Sequence, residues 1–251
     1  MAKKKAVQPI YIALFVAAMA SIGAITFYYF NKPNFVQYAE FGIDIPTHYA
    51  IHGIDVSHYQ QNINWDEVKK MQIKDIKIGF AFVKATEGSN DVDENFKTNW
   101  CEIKKANITR GAYHFFNPYT SGKTQAQNFI KTVALHKGDM PPVLDIEQMG
   151  NVSTIQLQQR VNDWLTVIEA FYKTKPIIYT GAVFYEQHLA GKFDEYPLWV
   201  AHYLVKDKPR VKRQWQFWQH NEAGHVNGIT TFVDFNVFNG DSTNFNTLLL
   251  P

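Results

Sequence analysis

Residues 140–149 read MPPVLDIEQM, and this stretch decides the fold. Two prolines lead into an apolar run, after which Asp145 and Glu147 lie on either side of Ile146. A short apolar run bounded by prolines is typical of a buried strand. Side chains alternate along a strand, so the two acids would emerge on one face, with backbone atoms ~6.6–7 Å apart. Such acids could meet solvent at a strand end, bind a metal or form a catalytic pair.

Seven further runs resemble this one in length and apolar content. They are 50–57 (AIHGIDVS), 78–86 (IGFAFVKAT), 110–116 (RGAYHFF), 176–181 (PIIYTG), 198–203 (LWVAHY), 214–219 (QWQFWQ) and 232–238 (FVDFNVF). Helical patterns separate the early runs. One follows Asn64 and Glu67, and another follows the capping pair Ser153 and Gln156. Strands that alternate with helices indicate a parallel sheet covered on its outer face. The sequence therefore predicts an α/β fold, a single β/α (TIM-like) barrel, irregular where the last strands leave no room for full helices.

The amino terminus carries a separate signal. Residues 10–30 are an uncharged apolar stretch that could cross ~30 Å of hydrocarbon as an N-terminal transmembrane helix. The lysines before it favour a basic cytoplasmic segment at 1–9 and export of the rest, periplasmic or extracellular. A cleaved signal peptide is the alternative, because 18–20 (AMA) resembles a cleavage site. We expect a juxtamembrane spacer at 31–49 and the barrel domain at 50–251.

Charge and cysteine content exclude several classes of function. The chain has 25 Lys and Arg against 23 Asp and Glu, but residues 1–32 hold four lysines and no acid. The remainder is therefore near neutral, which argues against a nucleic-acid partner. The single Cys101 excludes an intrachain disulfide framework and a metal site built on cysteines. No H-E-x-x-H motif occurs, and we expect neither a metal nor a cofactor.

Polar residues follow nearly every predicted strand. In a β/α barrel, the C-terminal ends of the strands share one cleft. The residues at these ends are Asp55, His58, Lys84, Glu87, Tyr113, His114, Asp145, Glu147, Tyr179, Trp199, His202, Tyr203, Gln219, Asp234 and Asn236. Acids interleaved with aromatic residues suit an uncharged, hydroxylated ligand such as a sugar. Two carboxylates as close as Asp145 and Glu147 cannot both ionise freely, so the pKa of one should rise, and glycoside hydrolysis requires such a protonated acid.

Six of these stretches, in the same order, resemble the glycoside hydrolase family 25 lysozymes. They are 53–60 (GIDVSHYQ), 82–88 (FVKATEG), 110–116 (RGAYHFF), 142–147 (PVLDIE), 198–203 (LWVAHY) and 233–240 (VDFNVFNG). The resemblance implies an irregular β/α barrel that cleaves the β-1,4 bond from N-acetylmuramic acid to N-acetylglucosamine in peptidoglycan. Carried over residue by residue, it implies that Glu147 is the acid and that Asp55, Asp145 and Asp234 are further active-site carboxylates. An N-terminal anchor departs from this family, which is better known for secreted enzymes.

These residues lead to a mechanistic hypothesis. Glu147 would protonate the leaving oxygen while Asp145 orients the 2-acetamido group of the substrate, which attacks the anomeric carbon. Direct inversion, with Asp234 or Asp55 as the base for a water molecule, is the alternative. The residues expected to contact the sugar or to hold the acids are Tyr113, Tyr179, Trp199, His58, His114 and Lys84. Lys84 and Glu87 could instead form only a salt-bridged loop.

Two other classes of function stay open. A barrel of this kind could bind glycan strands at the cell envelope without cutting them, although four intact acids argue against that. It could also hydrolyse another N-acetylhexosamine polymer such as chitin. The D-x-x-D-x-D-x-E pattern of chitinases is absent, because Val143 occupies one of its acidic positions. The expected partners are peptidoglycan glycan strands and, through the N-terminal helix, the membrane, with the protein a monomer.

Overall fold

The computed structural model describes residues 14–15, 17–19, 21–23 and 34–251, and the described positions before residue 24 are helical. The predicted basic segment, 1–9, lies outside these residues, and so does most of the predicted anchor, 10–30. Within the described part of the chain, no helix is both long enough and apolar enough to cross a membrane.

Eight strands close into a barrel. In chain order the strands are β1 (Phe35–Tyr38), β2 (Ile43–Pro46), β3 (Ile51–Val56), β4 (Gln72–Ile73), β5 (Ile76–Glu87), β6 (Asp91–Val92), β7 (Thr109–Phe115), β8 (Val143–Asp145), β9 (Ile177–Gly181), β10 (Leu198–Ala201), β11 (Phe217–Gly224) and β12 (Val233–Phe238). The barrel consists of β3, β5 and β7 to β12, and it closes because β3 pairs with both β5 and β12. All eight predicted strands are therefore confirmed.

The sequence pattern predicts a parallel sheet, but the sheet is parallel only in part. The strands from β3 to β11 pair in parallel around the barrel, but β12 runs antiparallel to both β11 and β3. Only residues 225–232 connect β11 to β12. A connection of that length can form a hairpin, whereas a parallel crossover requires a dozen or more residues. The predicted irregularity at the end of the barrel is confirmed in this form.

Helices cover the outside of the barrel. They are α1 (Trp65–Lys70), α2 (Phe96–Lys105), α3 (Gly122–Thr132), α4 (Thr154–Tyr172), α5 (Ala182–Phe184) and α6 (Ser242–Leu248). The side chain of Asn64 caps α1, and Ser153 and Gln156 form the predicted capping box of α4. The buried face of α4 is Leu157, Val161, Trp164, Leu165 and Ile168, the helical spacing that the sequence shows.

Large aromatic residues fill the inside of the barrel. Phe80 and Phe82 are fully buried there, and the indole ring of Trp199 stacks on Phe82 with ring centroids 4.3 Å apart. Glycines on neighbouring strands make the space. A Cβ atom at Gly53 would lie 2.4 Å from Phe80, and one at Gly111 would lie 2.5 Å from Phe82. This packed interior supports the residues at the C-terminal ends of the strands from below.

The described residues of the predicted spacer, 31–49, fold against the barrel. β1 and β2 form an antiparallel hairpin that packs on the outside of the barrel. Phe41, in the turn, is fully buried, and its ring centroid lies 5.3 Å from that of Phe235. Ile43 and Ile45 are buried while Asp44 between them is exposed, the alternation of a half-buried strand. The hairpin is therefore part of the folded domain.

Candidate active site

One cleft collects the predicted acids. It has a volume of about 190 Å³ and lies at the C-terminal ends of the parallel strands. Eight of the ten predicted site residues line it, namely Asp55, Lys84, Tyr113, Asp145, Glu147, Tyr179, Trp199 and Asp234. His58 and His114 do not. The structure thus brings four carboxyl groups from β3, β8, the segment after β8 and β12 into one small volume.

Asp55 and Asp234 form the first pair of acids. They are direct register partners on β3 and β12. Because β12 runs antiparallel, a residue near its beginning lies at the same end of the barrel as a residue near the end of β3. The sequence analysis therefore places Asp234 in the correct cleft, although it assumes that β12 is parallel to its neighbours.

Burial sets the protonation of this pair. Asp55 is only 7% exposed, and burial, followed by the charge of Asp234, raises the pKa of Asp55 well above its usual range. Burial also raises the pKa of Asp234 to about 6, although its hydrogen bond with Asp55 opposes the rise. The two carboxyl groups therefore titrate as a pair, and burial together with their mutual repulsion holds a proton on the pair at a higher pH than on a free aspartate.

Two amide side chains hold Asp55 in place. Its Oδ2 accepts hydrogen bonds from Asn236 Nδ2 at 2.6 Å and from Gln219 Nε2 at 2.9 Å. Trp199 Nε1 donates to Asn236 Oδ1 at 2.7 Å, which fixes the orientation of that amide. Gln219 Oε1 accepts from the hydroxyl groups of Tyr179 and Tyr203. Each amide is anchored at its oxygen and donates to Asp55 through its nitrogen, so the carboxyl group has little freedom to turn.

Gln219, Asn236 and Tyr203 were not among the predicted site residues. All three were recognisable as polar residues at strand ends, and that position was the available signal. Their contacts with Asp55 and with one another could not be read from the sequence, because they depend on which strands are neighbours in the barrel.

Asp145 and Glu147 form the second pair, at the end of β8 and just beyond it. β8 ends at Asp145, which is 5% exposed, whereas Glu147 lies in the following segment and is exposed. Both acids line the cleft, and Ile146 between them is buried in the core. The two carboxyl groups therefore emerge on one side, as predicted, although the strand is shorter than predicted.

The protonation of this pair follows from the difference in burial. Burial, followed by the charge of Glu147 and a hydrogen bond shared with Glu147, raises the pKa of Asp145 well above its usual range, and Lys84 opposes the rise. One member of the pair therefore has a raised pKa, as predicted, and it is the buried one. Asp145 Oδ1 is buried and has no hydrogen-bond partner within the described part of the chain. A buried carboxyl oxygen without a partner is available to a donor on a bound substrate.

The aromatic residues of the cleft differ in depth. Trp199 is 1% exposed and its indole N–H is engaged, so it forms the floor. Tyr113 is half-buried, and its pKa is raised well above its usual range by burial and by the charges of Asp55, Asp145 and Asp234. At the rim, Tyr59 is 72% exposed. Tyr59 was missed, although it lies within the stretch 53–60 that carries the family resemblance.

The prediction that His114 serves the site is wrong. Its neighbour Tyr113 faces the cleft, so strand alternation turns His114 to the outside of the barrel. There His114 Nε2 donates to Gln125 Oε1 at 3.0 Å and Nδ1 accepts from Thr86 Oγ1 at 2.7 Å. Its ring stacks on Trp164, and burial lowers its pKa to about 4. His114 is a neutral core residue.

His58 and Lys84 lie at one side of the cleft. The backbone N–H and Nδ1 of His58 both lie 2.9 Å from Asp93 Oδ2, in a depression beside the cleft. Lys84 lines both spaces, and its Nζ lies 2.6 Å from Glu87 Oε2. Lys84 is thus salt-bridged and also faces the cleft, so the two interpretations of this residue are compatible.

Comparisons with known proteins agree with this geometry. The sequence model of the family described as "Glycosyl hydrolases family 25" matches residues 54–229. The chain is 50% identical over 200 residues to the uncharacterized protein YegX of Escherichia coli strain K12, covering 80% of this chain and 74% of that protein. It is 36% identical over 208 residues to lysozyme M1 of Streptomyces globisporus, covering 77% and 69%. A solved family 25 glycosyl hydrolase from Bacillus anthracis aligns with a TM-score of 0.76 and 30% identity, covering 86% of this chain and 100% of that one.

Proposed function

The chain belongs to glycosyl hydrolase family 25, whose lysozymes are peptidoglycan hydrolases, and from this premise we propose which bond it cleaves and with which residues. The bond is the β-1,4 link from N-acetylmuramic acid to N-acetylglucosamine. The observation that carries the proposal is the pairing of Asp145 with Glu147, in which a buried acid with a raised pKa and an unpartnered oxygen stands beside an exposed acid.

The first step uses both members of this pair. The acetamido N–H of the N-acetylmuramic acid donates to Asp145 Oδ1, and this hydrogen bond favours the ionised form of Asp145. The proton passes to Glu147, which delivers it to the glycosidic oxygen. The acetamido carbonyl oxygen attacks the anomeric carbon as the bond from that carbon to the leaving oxygen breaks. The products of this step are the shortened glycan and an oxazolinium ion, whose positive charge the ionised Asp145 stabilises.

The second step returns the enzyme to its starting state. Glu147, now ionised, takes a proton from a water molecule whose oxygen attacks the anomeric carbon and opens the oxazolinium ring. The carbonyl oxygen recovers its electron pair, and the sugar leaves with the configuration it had in the polymer. As the sugar leaves, Asp145 loses its hydrogen bond to the acetamido N–H, and the proton passes from Glu147 back to Asp145. Two inversions at one carbon give net retention.

Asp55, Asp234 and Tyr113 shape the opposite side of the cleft. Asp55 is held by Gln219 and Asn236, so it keeps a fixed hydrogen-bonding surface toward the sugar. Asp234 is ionised above about pH 6, which would also suit it to act as the base in direct inversion. Tyr59 and Tyr113 offer aromatic surface to the sugar ring.

A digestion experiment tests the proposed bond. Purified peptidoglycan is treated with the full-length chain, reduced with borohydride and analysed by mass spectrometry. New N-acetylmuramitol ends support the proposal. New N-acetylglucosaminitol ends, or hydrolysis of chitin oligomers in preference to peptidoglycan, would assign a different bond. Binding to the glycan without any new ends would instead identify a non-catalytic glycan-binding barrel.

The amino-terminal apolar stretch bears on where the domain acts. We infer that the domain works outside the cytoplasm and that residues 10–30 hold it at the membrane. The support is the lysine-flanked apolar stretch in the sequence. Membrane fractionation followed by protease treatment of intact spheroplasts tests it. Protection of the domain from protease, or its release into the medium, would contradict the anchored arrangement.

A further inference from the structure

A second cavity adjoins the cleft across Glu147. It has a volume of about 380 Å³ and lies between the residues that follow β9 and β10. Glu147 and Tyr179 line both spaces, whereas Asp145 lines only the cleft. Its far wall is apolar, and it includes Val183, which is 66% exposed, and the half-buried Phe184.

The proposed function fixes which part of the substrate this cavity would face. The general acid must contact the oxygen between the two sugars, and the sugar under attack lies over Asp145. The leaving sugar therefore lies on the other side of Glu147 from Asp145, where the second cavity is. Apolar and aromatic side chains beside Glu147 suit the faces of an uncharged sugar ring.

A basic loop continues the wall of this cavity. Residues 202–214 follow β10, and their first two, His202 and Tyr203, line the cavity. The backbone N–H of Arg210 donates to His202 Nδ1 at 3.1 Å, which ties the loop to the wall. Asp207 is the single acid in this segment.

Three bases of this loop are available to a ligand. Lys206, Lys208 and Arg210 are exposed, and none of them has an ion pair within the described ranges. The other two bases are occupied. Lys212 Nζ lies 3.7 Å from Glu186, and Arg213 donates to the carbonyl oxygens of Phe193 and Tyr196. Because the chain beyond residue 32 is near neutral, this concentration of free positive charge is local.

We propose that this basic loop binds carboxylate groups of the stem peptide on the leaving side of the glycan. The N-acetylglucosamine at the leaving position has no charge, but the next sugar along the strand is an N-acetylmuramic acid whose peptide carries free carboxylates. Those groups extend beyond the second cavity toward the loop. The inference rests on the proposed function, because it uses the position of the acid to orient the strand.

The opposite side of the cleft has the opposite charge. The depression beyond Lys84 is lined by Glu87, Asp91, Asp93 and Glu94. Glu87 is paired with Lys84 and Asp93 with His58, whereas Asp91 and Glu94 are exposed and have no ion pair among the described residues. Carboxylates of a stem peptide would be repelled there and attracted at the basic loop. A charge difference across a binding groove orients a charged ligand and raises its rate of association. The same polymer bound in reverse would lose both effects.

The test compares two triple variants of the full-length chain, each in a Glu147→Gln background that prevents turnover. The first is Lys206→Gln, Lys208→Gln and Arg210→Gln. The matched control is Lys70→Gln, Lys104→Gln and Lys131→Gln, which removes the same charge from exposed residues in the last turns of α1, α2 and α3. Binding is measured on glycan fragments with intact stem peptides and on the same fragments after their peptide carboxylates have been converted to methyl amides. Melting curves establish that both variants fold.

The loop variant should bind fragments with free peptide carboxylates about tenfold more weakly than the control does, and both variants should bind the amidated fragments equally well. The inference is overturned if the loop variant binds both kinds of fragment as tightly as the control does. It is also overturned if the loop variant loses the same amount of affinity for both. Unchanged glycan binding with reduced binding to phosphatidylglycerol vesicles overturns it in favour of a membrane partner. Hydrolysis by the chain with Glu147 intact is scored separately, so stem-dependent binding without hydrolysis would refute the proposed reaction and leave the loop assignment standing.

Discussion

Asp55 and Asp234 lie directly opposite each other on the antiparallel strands β3 and β12. In a barrel of eight parallel strands, Asp234, near the beginning of its strand, would lie at the far end from Asp55. The reversed direction of β12 brings the two carboxyl groups together in a buried cleft, where only one of them ionises readily. An arrangement of this kind retains a proton in the active site, and it lowers the stability of the fold at neutral pH.

The pH dependence of stability tests this relationship. The pKa of Asp234 is raised from 3.8 to about 6 in the folded protein, so this group favours the folded state below about pH 4 and disfavours it increasingly as the pH rises through 6. Asp234→Asn should therefore raise the free energy of unfolding by about 1–3 kcal/mol at pH 7 relative to its effect at pH 3. Denaturant melts at both pH values measure the difference. The exposed Asp44→Asn is the matched control, and an equal effect of Asp234→Asn at the two pH values would refute the assignment.

Two neighbouring residues of β7 should behave in opposite ways. Tyr113→Phe removes a hydroxyl group that faces three acids, so we expect kcat/KM to fall at least about tenfold with little change in stability. His114→Ala removes two buried hydrogen bonds and a ring stacked on Trp164. We expect it to lower the free energy of unfolding by about 2–4 kcal/mol. The folded fraction of His114→Ala should keep the parent kcat/KM, and a selective loss of kcat/KM in that fraction would return His114 to the site.

The stereochemistry of the first product separates the two mechanisms. Substrate assistance through Asp145 predicts that the new reducing end appears first as the β-anomer, the configuration of the bond that is cleaved. Proton NMR of a fresh digest, recorded before mutarotation, gives the answer. If the α-anomer appears first, the reaction inverts. A water molecule then attacks the anomeric carbon directly, with Asp234 as its base.

The N-terminal hairpin should contribute to the stability of the domain. Phe41 is fully buried against Phe235, and Phe41→Ala should lower the free energy of unfolding by about 3–5 kcal/mol. Its exposed neighbour Glu40 provides the control, since Glu40→Ala removes no buried surface. If the thermal melting curves of the two variants coincide, the hairpin does not stabilise the domain.

The strands and the four acids could be predicted because each has a local signal. Apolar runs such as 78–86 and 176–181 are recognisable without knowledge of their neighbours, and in a barrel their ends share one cleft. The direction of β12 has no such signal, because a run of buried residues reads the same in either orientation. It is decided by the short connection after β11, and that connection is short because β11 continues to Gly224, beyond the predicted run 214–219.

The remaining differences between the predicted and the observed structure have local physical causes. Ile146 is apolar and buried, so nothing in the composition of 140–149 shows that β8 ends before it and that Glu147 lies outside the strand. The hairpin of β1 and β2 was hidden by its position after an apolar stretch and by its prolines. The wrong assignment of His114 was avoidable, because adjacent residues on one strand cannot both face the cleft.

The central claim is that Glu147 is the general acid, and the most direct measurement is the rate at which Glu147→Gln produces N-acetylmuramic acid reducing ends from purified peptidoglycan. We expect a fall of about 10²–10⁴-fold in kcat relative to the parent chain, with unchanged binding and an unchanged melting curve. Glu40→Gln, which removes an exposed acid in the hairpin turn, should keep the parent rate. A Glu147→Gln variant that releases these ends at a rate within about twofold of the parent would contradict the claim.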